Sequence, residues 1–306
     1  MAAYHELSKA ELHLHLEGSV TPDTMHELAP EISAGEIRER FRFSTFAGFL
    51  ECFKWVVERL RGPGDYALIT RKLLESLERQ NVRYAEITLS AGVVLWKRQD
   101  FALIYDAVRR AAAGSPVEVL WNLDGIRHFG AEHVMQVAQM AAERVADGVV
   151  SFGIGGDEER GPAHWFTEAY RFARDKGLRL TAHAGETTGP ESIWDALRLG
   201  AERIGHGIRS VEDPALMRHL RDRDVPLEIC ISSNVATGAV PSLGDHPIRR
   251  LYDAGVPIIL NTDDPGLFGT TLDQEYDLAA CTFGFSEQAL RGIVENGFRY
   301  AFKRDP

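Results

Sequence analysis

Cysteine is scarce in this sequence. Its 306 residues include three cysteines, Cys52, Cys230 and Cys281, and no two of them lie close together in the chain. An odd and widely spaced set argues against a disulfide framework, and no CxxC pair is present to begin a cysteine-ligated metal site. We therefore expect a protein of a reducing compartment, the cytoplasm.

Long apolar runs and basic runs are also missing. No stretch approaches the ~20 apolar residues of a membrane-spanning helix, and the first residues, MAAYHELSKAEL, do not resemble a signal peptide. The formal net charge is −11, and no cluster of Lys and Arg interrupts this acidic balance. Because an acidic chain repels phosphate backbones, we expect neither a membrane nor a nucleic acid as a partner.

Several well-known catalytic motifs are absent. There is no HExxH, no HxE followed by PCxxC and no GxSxG, so a zincin protease, a small cytidine-deaminase zinc site and an α/β-hydrolase are unsupported. The segment GIGGDE lacks the full GxGxxG spacing of a dinucleotide-binding loop. This segment lies at the end of the fourth predicted strand. That strand contains no lysine, so a two-metal site bridged by a modified lysine is not supported.

Short β-rich runs alternate with helical segments along the chain. Such alternation predicts parallel strands joined by helices. The predicted strands span residues 10–16, 82–89, 117–124, 149–156, 178–185, 202–207, 225–232 and 256–263. Eight units in one chain predict a single-domain (β/α)₈ TIM barrel over residues 1–306, with a doubly wound open sheet as the competing fold.

Residues 19–64 separate the first two strands and are longer than one crossover needs. They contain FSTFAGFLECFKWVV, an aromatic-rich helical stretch. This helix could pack on the barrel, or it could cover the site as an apolar lid through Phe46, Phe49 and Phe53. Both interpretations are open at this point.

The stretch KAELHLHLEGSV places three polar side chains on a strand that is otherwise apolar. Strand side chains alternate between faces, so His13, His15 and Glu17 share one face. Taken alone, a histidine pair of this kind is more typical of hydrogen-bonded core residues than of a ligand set.

Other strands end in imidazoles and carboxylates as well. The fifth strand ends in TAHAGE, the sixth in IGHG and the eighth in NTDDPG. These motifs contribute His183, Glu186, His206, Asp263 and Asp264. In a TIM barrel all of them would meet at the carboxyl-terminal mouth, where catalytic groups of this fold lie. Helix caps and core histidines could explain each one singly, but their joint placement favours an active site.

Three histidines and an aspartate form a suitable ligand set for one Zn²⁺ ion, with a position left for water. The candidates are His13, His15, His183 and Asp263. His206 could orient the water or take its proton, Glu186 could protonate the substrate, and Asp264 could hold a substrate nitrogen. The residues alone therefore predict a zinc hydrolase.

The motifs HLHLEGS, GIGGDE, TAHAGE, RIGHGIRS, SSNVATGAV and LNTDDPGLFGTT resemble, in this order, those of the adenosine deaminase family of the amidohydrolase superfamily. The resemblance covers residues 10 to about 276. It implies a zinc-dependent TIM-barrel enzyme that removes the 6-amino group of a purine by hydrolysis and releases ammonia.

The resemblance also implies a role for each motif residue. The zinc ligands are again His13, His15, His183 and Asp263. Glu186 corresponds to the residue that protonates purine N1, and His206 to the residue beside the hydroxide that attacks C6. The remaining correspondences concern substrate contacts: Asp264 to N7, the Gly156 backbone to N3, Glu17 at the ribose end, and Phe49 and Phe53 in an apolar lid.

The substrate is left open among adenosine, aminodeoxyfutalosine and adenine. Many adenosine deaminases have HLDG where this chain has HLEG, and Glu17 resembles the adenine deaminase branch. The segment SSNVATGAV instead resembles nucleoside enzymes. The carboxylate of aminodeoxyfutalosine would need a cation, for which Arg38, Arg40 and Arg42 are candidates, although a solvated basic edge is the simpler interpretation. A non-catalytic purine-binding protein is an alternative of another class.

Overall fold

Eight parallel strands form the centre of the molecule. A computed structural model describes residues 3–303, and in it the strands pair in chain order, each with the next. They are β1 (Lys9–His15), β2 (Val82–Leu89), β3 (Glu118–Ile126), β4 (Val149–Gly155), β5 (Arg179–Ala184), β6 (Arg203–His206), β7 (Leu227–Ile229) and β8 (Ile258–Leu260).

The last strand returns to the first. The backbone N–H of His15 donates to the carbonyl of Asp263 at 2.8 Å, and the N–H of Asp263 donates to the carbonyl of His13 at 3.1 Å. These bonds join the end of β8 to β1 and close the sheet into a barrel. The predicted (β/α)₈ barrel is confirmed, and an open doubly wound sheet is wrong because an open sheet would leave β1 and β8 unpaired.

Helices surround the barrel. Within residues 3–303 they are α1 (Pro22–Leu28), α2 (Ala34–Arg40), α3 (Phe46–Val57), α4 (Pro63–Arg79), α5 (Ala91–Trp96), α6 (Phe101–Ala112), α7 (Ala131–Glu143), α8 (Thr167–Asp175), α9 (Pro190–Arg198), α10 (Pro214–Asp222), α11 (Ile231–Ala236), α12 (Ile248–Asp253), α13 (Pro265–Phe268), α14 (Leu272–Cys281) and α15 (Glu287–Arg299). In that part of the chain no helix combines the length and the apolar character needed to cross a membrane.

The strand boundaries are correct for β2 and within about two residues for the first six strands, but the last two strands are shorter than predicted. The expected strand 225–232 runs only from Leu227 to Ile229, because α11 begins at Ile231. The expected strand 256–263 ends at Leu260, and the chain then turns so that Asp263 adopts a φ of 66°. Both segments leave the ladder where they begin to supply side chains to the barrel mouth.

The aromatic helix in the insertion is α3. The hydroxyl of Thr45 caps its start by accepting from the N–H of Gly48 at 3.1 Å. Trp55 and Val56 are buried, and Phe49, seven residues before Val56 and therefore on the same face of the helix, is half-buried. The helix thus packs on the barrel and also presents aromatic rings toward the mouth.

Candidate active site

The predicted polar residues meet at the carboxyl-terminal mouth of the barrel. His13 and His15 lie on β1, His183 on β5 and His206 at the end of β6, while Asp263 follows β8. All of these but His183, which is partly exposed, are buried. Parallel strands carry their carboxyl ends to the same side, so residues far apart in the chain become neighbours.

Four ligand atoms are spaced as the corners of a coordination shell. Nε2 of His13 and Nε2 of His15 each lie 3.3 Å from Oδ1 of Asp263, and Nε2 of His15 lies 3.2 Å from Nε2 of His183. Ligands about 2.0–2.1 Å from a tetrahedral ion are ~3.3 Å apart. Nε2 of His13 is buried and has no hydrogen-bond partner in the described residues. A divalent metal ion fits this arrangement.

Two acceptors behind the ligands orient the imidazole rings. Nδ1 of His13 lies 2.8 Å from Oε2 of Glu228, and Nδ1 of His183 lies 2.9 Å from the carbonyl oxygen of Ile154. An acceptor on Nδ1 keeps the proton there and leaves Nε2 free to bind a metal. Glu228 in turn accepts from Nε of Arg203 at 2.6 Å. This support was not predicted from the sequence: Arg203 opens the RIGHGIRS motif but was given no role, and Glu228 lies on a strand without a motif of its own.

A chain of hydrogen bonds sets the tautomer of His206. The N–H of Ile248 donates to Nδ1 of His246, so His246 carries its proton on Nε2 and donates to Oδ1 of Asn234 at 3.2 Å. The amide nitrogen of Asn234 then donates to Nδ1 of His206 at 3.1 Å. Nε2 of His206 therefore carries the proton, and it lies 3.6 Å from Oε2 of Glu186. Burial lowers the pKa of His206 to about 4, which keeps the ring neutral.

Two site residues have strained backbones. His206 and Asp263 adopt φ values of 62° and 66°, in the left-handed region that residues other than glycine rarely enter. The hydroxyl of Ser233 donates to Oδ2 of Asp263 at 2.7 Å and leaves Oδ1 directed at the histidines. Such strain persists only where surrounding contacts fix it, and it is concentrated at functional sites.

Two further carboxyls are buried beside the cluster. Burial, reinforced by the negative charge of Asp263, raises the pKa of Glu186 and that of Asp264 well above their ordinary values. Oδ1 of Asp264 is buried without a hydrogen-bond partner among the described residues. A Cβ on Gly18 would lie 1.6 Å from this oxygen, so the glycine of the HLEG motif provides space for the Asp264 carboxyl.

These groups open into a cavity of about 400 Å³. The predicted residues that line it are His15, Phe46, Phe49, Phe53, Gly156, His183, Glu186, His206, Asp263 and Asp264. His13 lies behind the wall as part of the ligand cluster. Trp96 and Phe129 form an exposed aromatic pair on the rim, with ring centres 6.3 Å apart. The size is within the range of about 300–1,000 Å³ typical of small-molecule sites.

Glu17 does not lie where a substrate contact requires it. Its side chain is fully buried, and its carboxylate oxygens accept from the backbone N–H of Ser90 at 3.2 and 3.3 Å. Ser90, not Glu17, is part of the cavity wall. The 3₁₀ turn Glu17–Ser19 directs this side chain beneath the wall. This position does not support the expected direct contact of Glu17 with the ribose end.

The three arginines on α2 and just after it are not part of the cavity either. Arg38, Arg40 and Arg42 are exposed, and Arg42 pairs with Glu39 at 3.2 Å. They form a solvated basic edge, which agrees with the simpler of the two interpretations of the sequence. The cationic side chains that do line the cavity are Lys54, on α3, and Arg160, in the loop after β4. Neither residue was predicted from the sequence, although Arg160 follows Gly156 by four residues in the GIGGDEER segment.

Comparisons with known proteins agree with this geometry. The family model described as adenosine deaminase matches residues 8–306. The chain is 38% identical to the aminodeoxyfutalosine deaminase of Streptomyces coelicolor, over 98% of this chain and 81% of that protein. It is also 38% identical to the adenine deaminase of Rhizobium leguminosarum, over 97% of this chain and 95% of that protein.

Solved structures show the same fold. The adenine deaminase of Arthrobacter aurescens, 29% identical, superposes with a TM-score of 0.90 over 97% of this chain and 94% of that one. An amidohydrolase from Burkhoderia ambifaria, solved with bound Zn, is 27% identical and gives a TM-score of 0.90 over 99% of this chain and 87% of that one.

Proposed function

Because the chain belongs to the adenosine deaminase family and is a hydrolytic deaminase of that type, we propose that it binds one Zn²⁺ ion and removes the 6-amino group of a purine nucleoside, releasing ammonia. One observation carries the proposal. Three of the four candidate ligands, His15, His183 and Asp263, line the same cavity as the buried carboxyl of Glu186, so a purine ring can meet both.

The ion would be held by His13, His15, His183 and Asp263. The spacing of their ligand atoms and the unpartnered Nε2 of His13 support this assignment. When bound, Zn²⁺ lowers the pKa of a water molecule to about 7 and makes it a nucleophile at neutral pH. Imidazole nitrogen with carboxylate oxygen is a ligand set that zinc favours.

Glu186 and His206 have different roles in the reaction: Glu186 donates a proton, and His206 orients the attacking oxygen. Glu186 holds a proton because burial raises the pKa of its carboxyl, and it can pass that proton to ring nitrogen N1 as water adds to C6. His206 is neutral with its proton on Nε2, so it donates a hydrogen bond to the attacking oxygen and orients it. Of the two roles expected for His206, the orienting one fits this tautomer.

Asp264 and Gly156 are placed to recognise the purine. A protonated Asp264 can donate to N7, and the raised pKa of its carboxyl supports this role. Gly156 has a φ of 93°, and a Cβ there would lie 2.9 Å from Nδ1 of His128. Only glycine lets this backbone approach a ring closely enough for its N–H to donate to N3. We also infer that residues 19–64 act as a lid, with Phe49 and Phe53 against the base.

A nucleoside with a substituent beyond the ribose is the favoured substrate. Besides the polar cluster, the cavity is lined by the aromatic pair Trp96 and Phe129 and by two cations, Lys54 and Arg160. A carboxylate or other anionic group at the 5′ end would be complementary to these cations. Aminodeoxyfutalosine has this chemistry, and the name of the Streptomyces coelicolor relative agrees with it. Adenosine, which lacks the anionic group, is the next candidate.

Free adenine is the second candidate. Glu17 resembles the adenine deaminase branch, and the Rhizobium leguminosarum relative is as similar to this chain as the Streptomyces coelicolor one. An adenine enzyme would leave the rim aromatics and cations without a role in the substrate complex, which is why the nucleoside is preferred.

The test offers adenine, adenosine and aminodeoxyfutalosine side by side to zinc-loaded protein and compares kcat/KM from the loss of 6-aminopurine absorbance. We expect the anionic nucleoside to be preferred, activity to disappear with a chelator, and Zn²⁺ to restore it. Turnover of adenine alone would replace the nucleoside proposal. Binding without turnover of any of the three would indicate a non-catalytic purine-binding protein.

A variant separates the proton donor from the metal. Glu186→Gln should retain zinc, measured by elemental analysis, and lose on the order of 10²–10⁴-fold in kcat, since the donor is gone and the ligands remain. Asp263→Ala should instead lose the metal. Near-normal turnover by the Gln variant would refute the proposed proton path.

A further inference from the structure

We propose that Glu158 is a positioning residue: its buried carboxylate fixes the backbone turn at residues 185–187 and so sets the direction in which Glu186 enters the cavity. This role rests on the function proposed above, in which Glu186 delivers a proton to the ring. Nothing in the sequence singled Glu158 out, although it ends the GIGGDE motif that supplies Gly156.

The Glu158 carboxylate collects hydrogen bonds from one segment. It accepts from the backbone N–H groups of Gly185, Glu186 and Thr187, each at 2.9 Å. The hydroxyls of Thr188 and Ser192 donate to it at 2.8 and 2.5 Å. Three consecutive backbone donors on one carboxylate fix the peptide planes on both sides of the Glu186 Cα atom.

The carboxylate is ionised in this environment. Glu158 is 4% exposed, and burial by itself would raise its pKa, but the guanidinium of Arg127 and the hydrogen-bond donors lower it below the ordinary value. Arg127 is itself held by its bonds to the carbonyls of Gly161, at 2.6 Å, and His183, at 2.9 Å. A charge-assisted acceptor bonds these N–H groups more strongly than a neutral one would.

The side chain of Glu186 has weaker restraints of its own. Thr237 donates to its Oε1 at 3.3 Å, and Nε2 of His206 lies 3.6 Å from Oε2. The backbone of the turn is more tightly held, because the N–H groups of residues 185–187 each donate to Glu158 at 2.9 Å. The direction of Glu186 therefore depends chiefly on the turn, and the turn depends on Glu158.

The same loop also carries the proposed purine contact. Gly156 lies two residues before Glu158, so one short segment supplies both the backbone donor for the ring and the acceptor for the proton-donor turn. A shift of this segment would therefore change the position of a bound ring relative to Glu186. A displacement of about 1 Å at such a point can reduce turnover by ~100-fold.

The experiment compares Glu158→Gln, Glu158→Asp and, as a matched control, Glu159→Gln in the zinc-loaded full chain. Glu159 is the exposed neighbour and does not line the cavity. For Glu158→Gln we expect kcat to fall ~10–100-fold with KM and zinc content unchanged, because the ring and the zinc ion still bind. Glu158→Asp keeps the charge but is one methylene short, so it should recover part of that loss. The control should match the parent protein.

A second readout does not depend on turnover. Hydrogen exchange measured by mass spectrometry should show the amides of residues 185–187 protected in the parent protein and exposed in Glu158→Gln. If the parent turns over no 6-aminopurine, the proposed function fails, and the exchange data still decide whether Glu158 fixes the turn. Unchanged kcat and unchanged protection in Glu158→Gln would overturn the role. Should that variant not fold, unchanged values for Glu158→Asp would overturn it equally.

Discussion

His13 and Glu228 form a buried pair in which Nδ1 lies 2.8 Å from Oε2. The other oxygen of Glu228 accepts from Nε of Arg203, and Nη2 of Arg203 reaches Oε2 of Glu86 at 2.5 Å. The guanidinium carbon of Arg203 lies 3.5 Å from the centre of the Phe302 ring. A ligand of the proposed metal is thus connected through fixed charges to the carboxyl-terminal segment.

This connection predicts the effect of Glu228→Gln. The variant keeps the shape of the side chain but removes the charge that holds the His13 proton on Nδ1, so zinc affinity should fall about 10–100-fold. Competition with a chromophoric chelator measures the change. Glu212→Gln, which removes a surface carboxylate paired with Arg209 at 2.7 Å, is the control. Equal affinities in the two variants would contradict the orienting role of Glu228.

The tautomer of His206 gives a second prediction. In Asn234→Asp the new carboxylate can only accept, so it should draw the proton of His206 onto Nδ1 and leave Nε2 bare. An imidazole in the wrong tautomer no longer donates to the attacking oxygen, and kcat should fall by on the order of 100-fold or more. Nitrogen chemical shifts of the histidine ring report the tautomer directly. An unchanged tautomer with normal kcat would show that Asn234 does not control it.

The burial of Glu17 predicts how stability changes with pH. Burial raises the pKa of Glu17 to about 8, far above that of an unfolded glutamate. Between pH ~4.5 and 8 the folded state therefore binds this proton more tightly than the unfolded state does. As pH rises through this range, the contribution of Glu17 to the free energy of unfolding falls by up to about 1.4 kcal/mol per pH unit.

Glu17→Gln should remove that contribution and keep an acceptor for the Ser90 N–H. Relative to the parent protein, the variant should become progressively more stable from pH 5 to pH 8 in urea unfolding. All other titrating groups are shared, so the difference between the two proteins isolates Glu17. A difference that is constant over this range would mean that Glu17 titrates normally.

The fold and the metal cluster were predictable because both depend on patterns that the sequence displays. Buried parallel strands are continuous apolar runs, and motifs such as HLHLEG and NTDDPG mark their ends. Phe49 was predicted in the same way, since aromatic residues recur along α3 at helical spacing. Each of these signals is local in the chain.

The supporting residues could not be predicted because they act across the fold. Glu158 and the turn it holds are about 28 residues apart, and Glu228 and His13 are 215 residues apart. Glu17 shows the converse error, since its position beside the histidines predicted a substrate contact while its 3₁₀ turn buries it under Ser90. The direction of a side chain after a strand end depends on backbone angles that residue type alone does not reveal.

The cation at the cavity rim distinguishes the candidate substrates. Arg160 lines the cavity, and its side chain is exposed before substrate binds. Arg160→Gln should raise KM about 10-fold or more for a nucleoside with a 5′ carboxylate, because a charge-assisted hydrogen bond of ~1.5–3 kcal/mol is lost. Its KM for adenosine, which has no anionic group, should stay within about 2-fold. Arg42→Gln, on the solvated edge, is the matched control and should change neither value. Equal changes for both nucleosides would place Arg160 outside any contact with the 5′ end and favour a substrate without an anionic group.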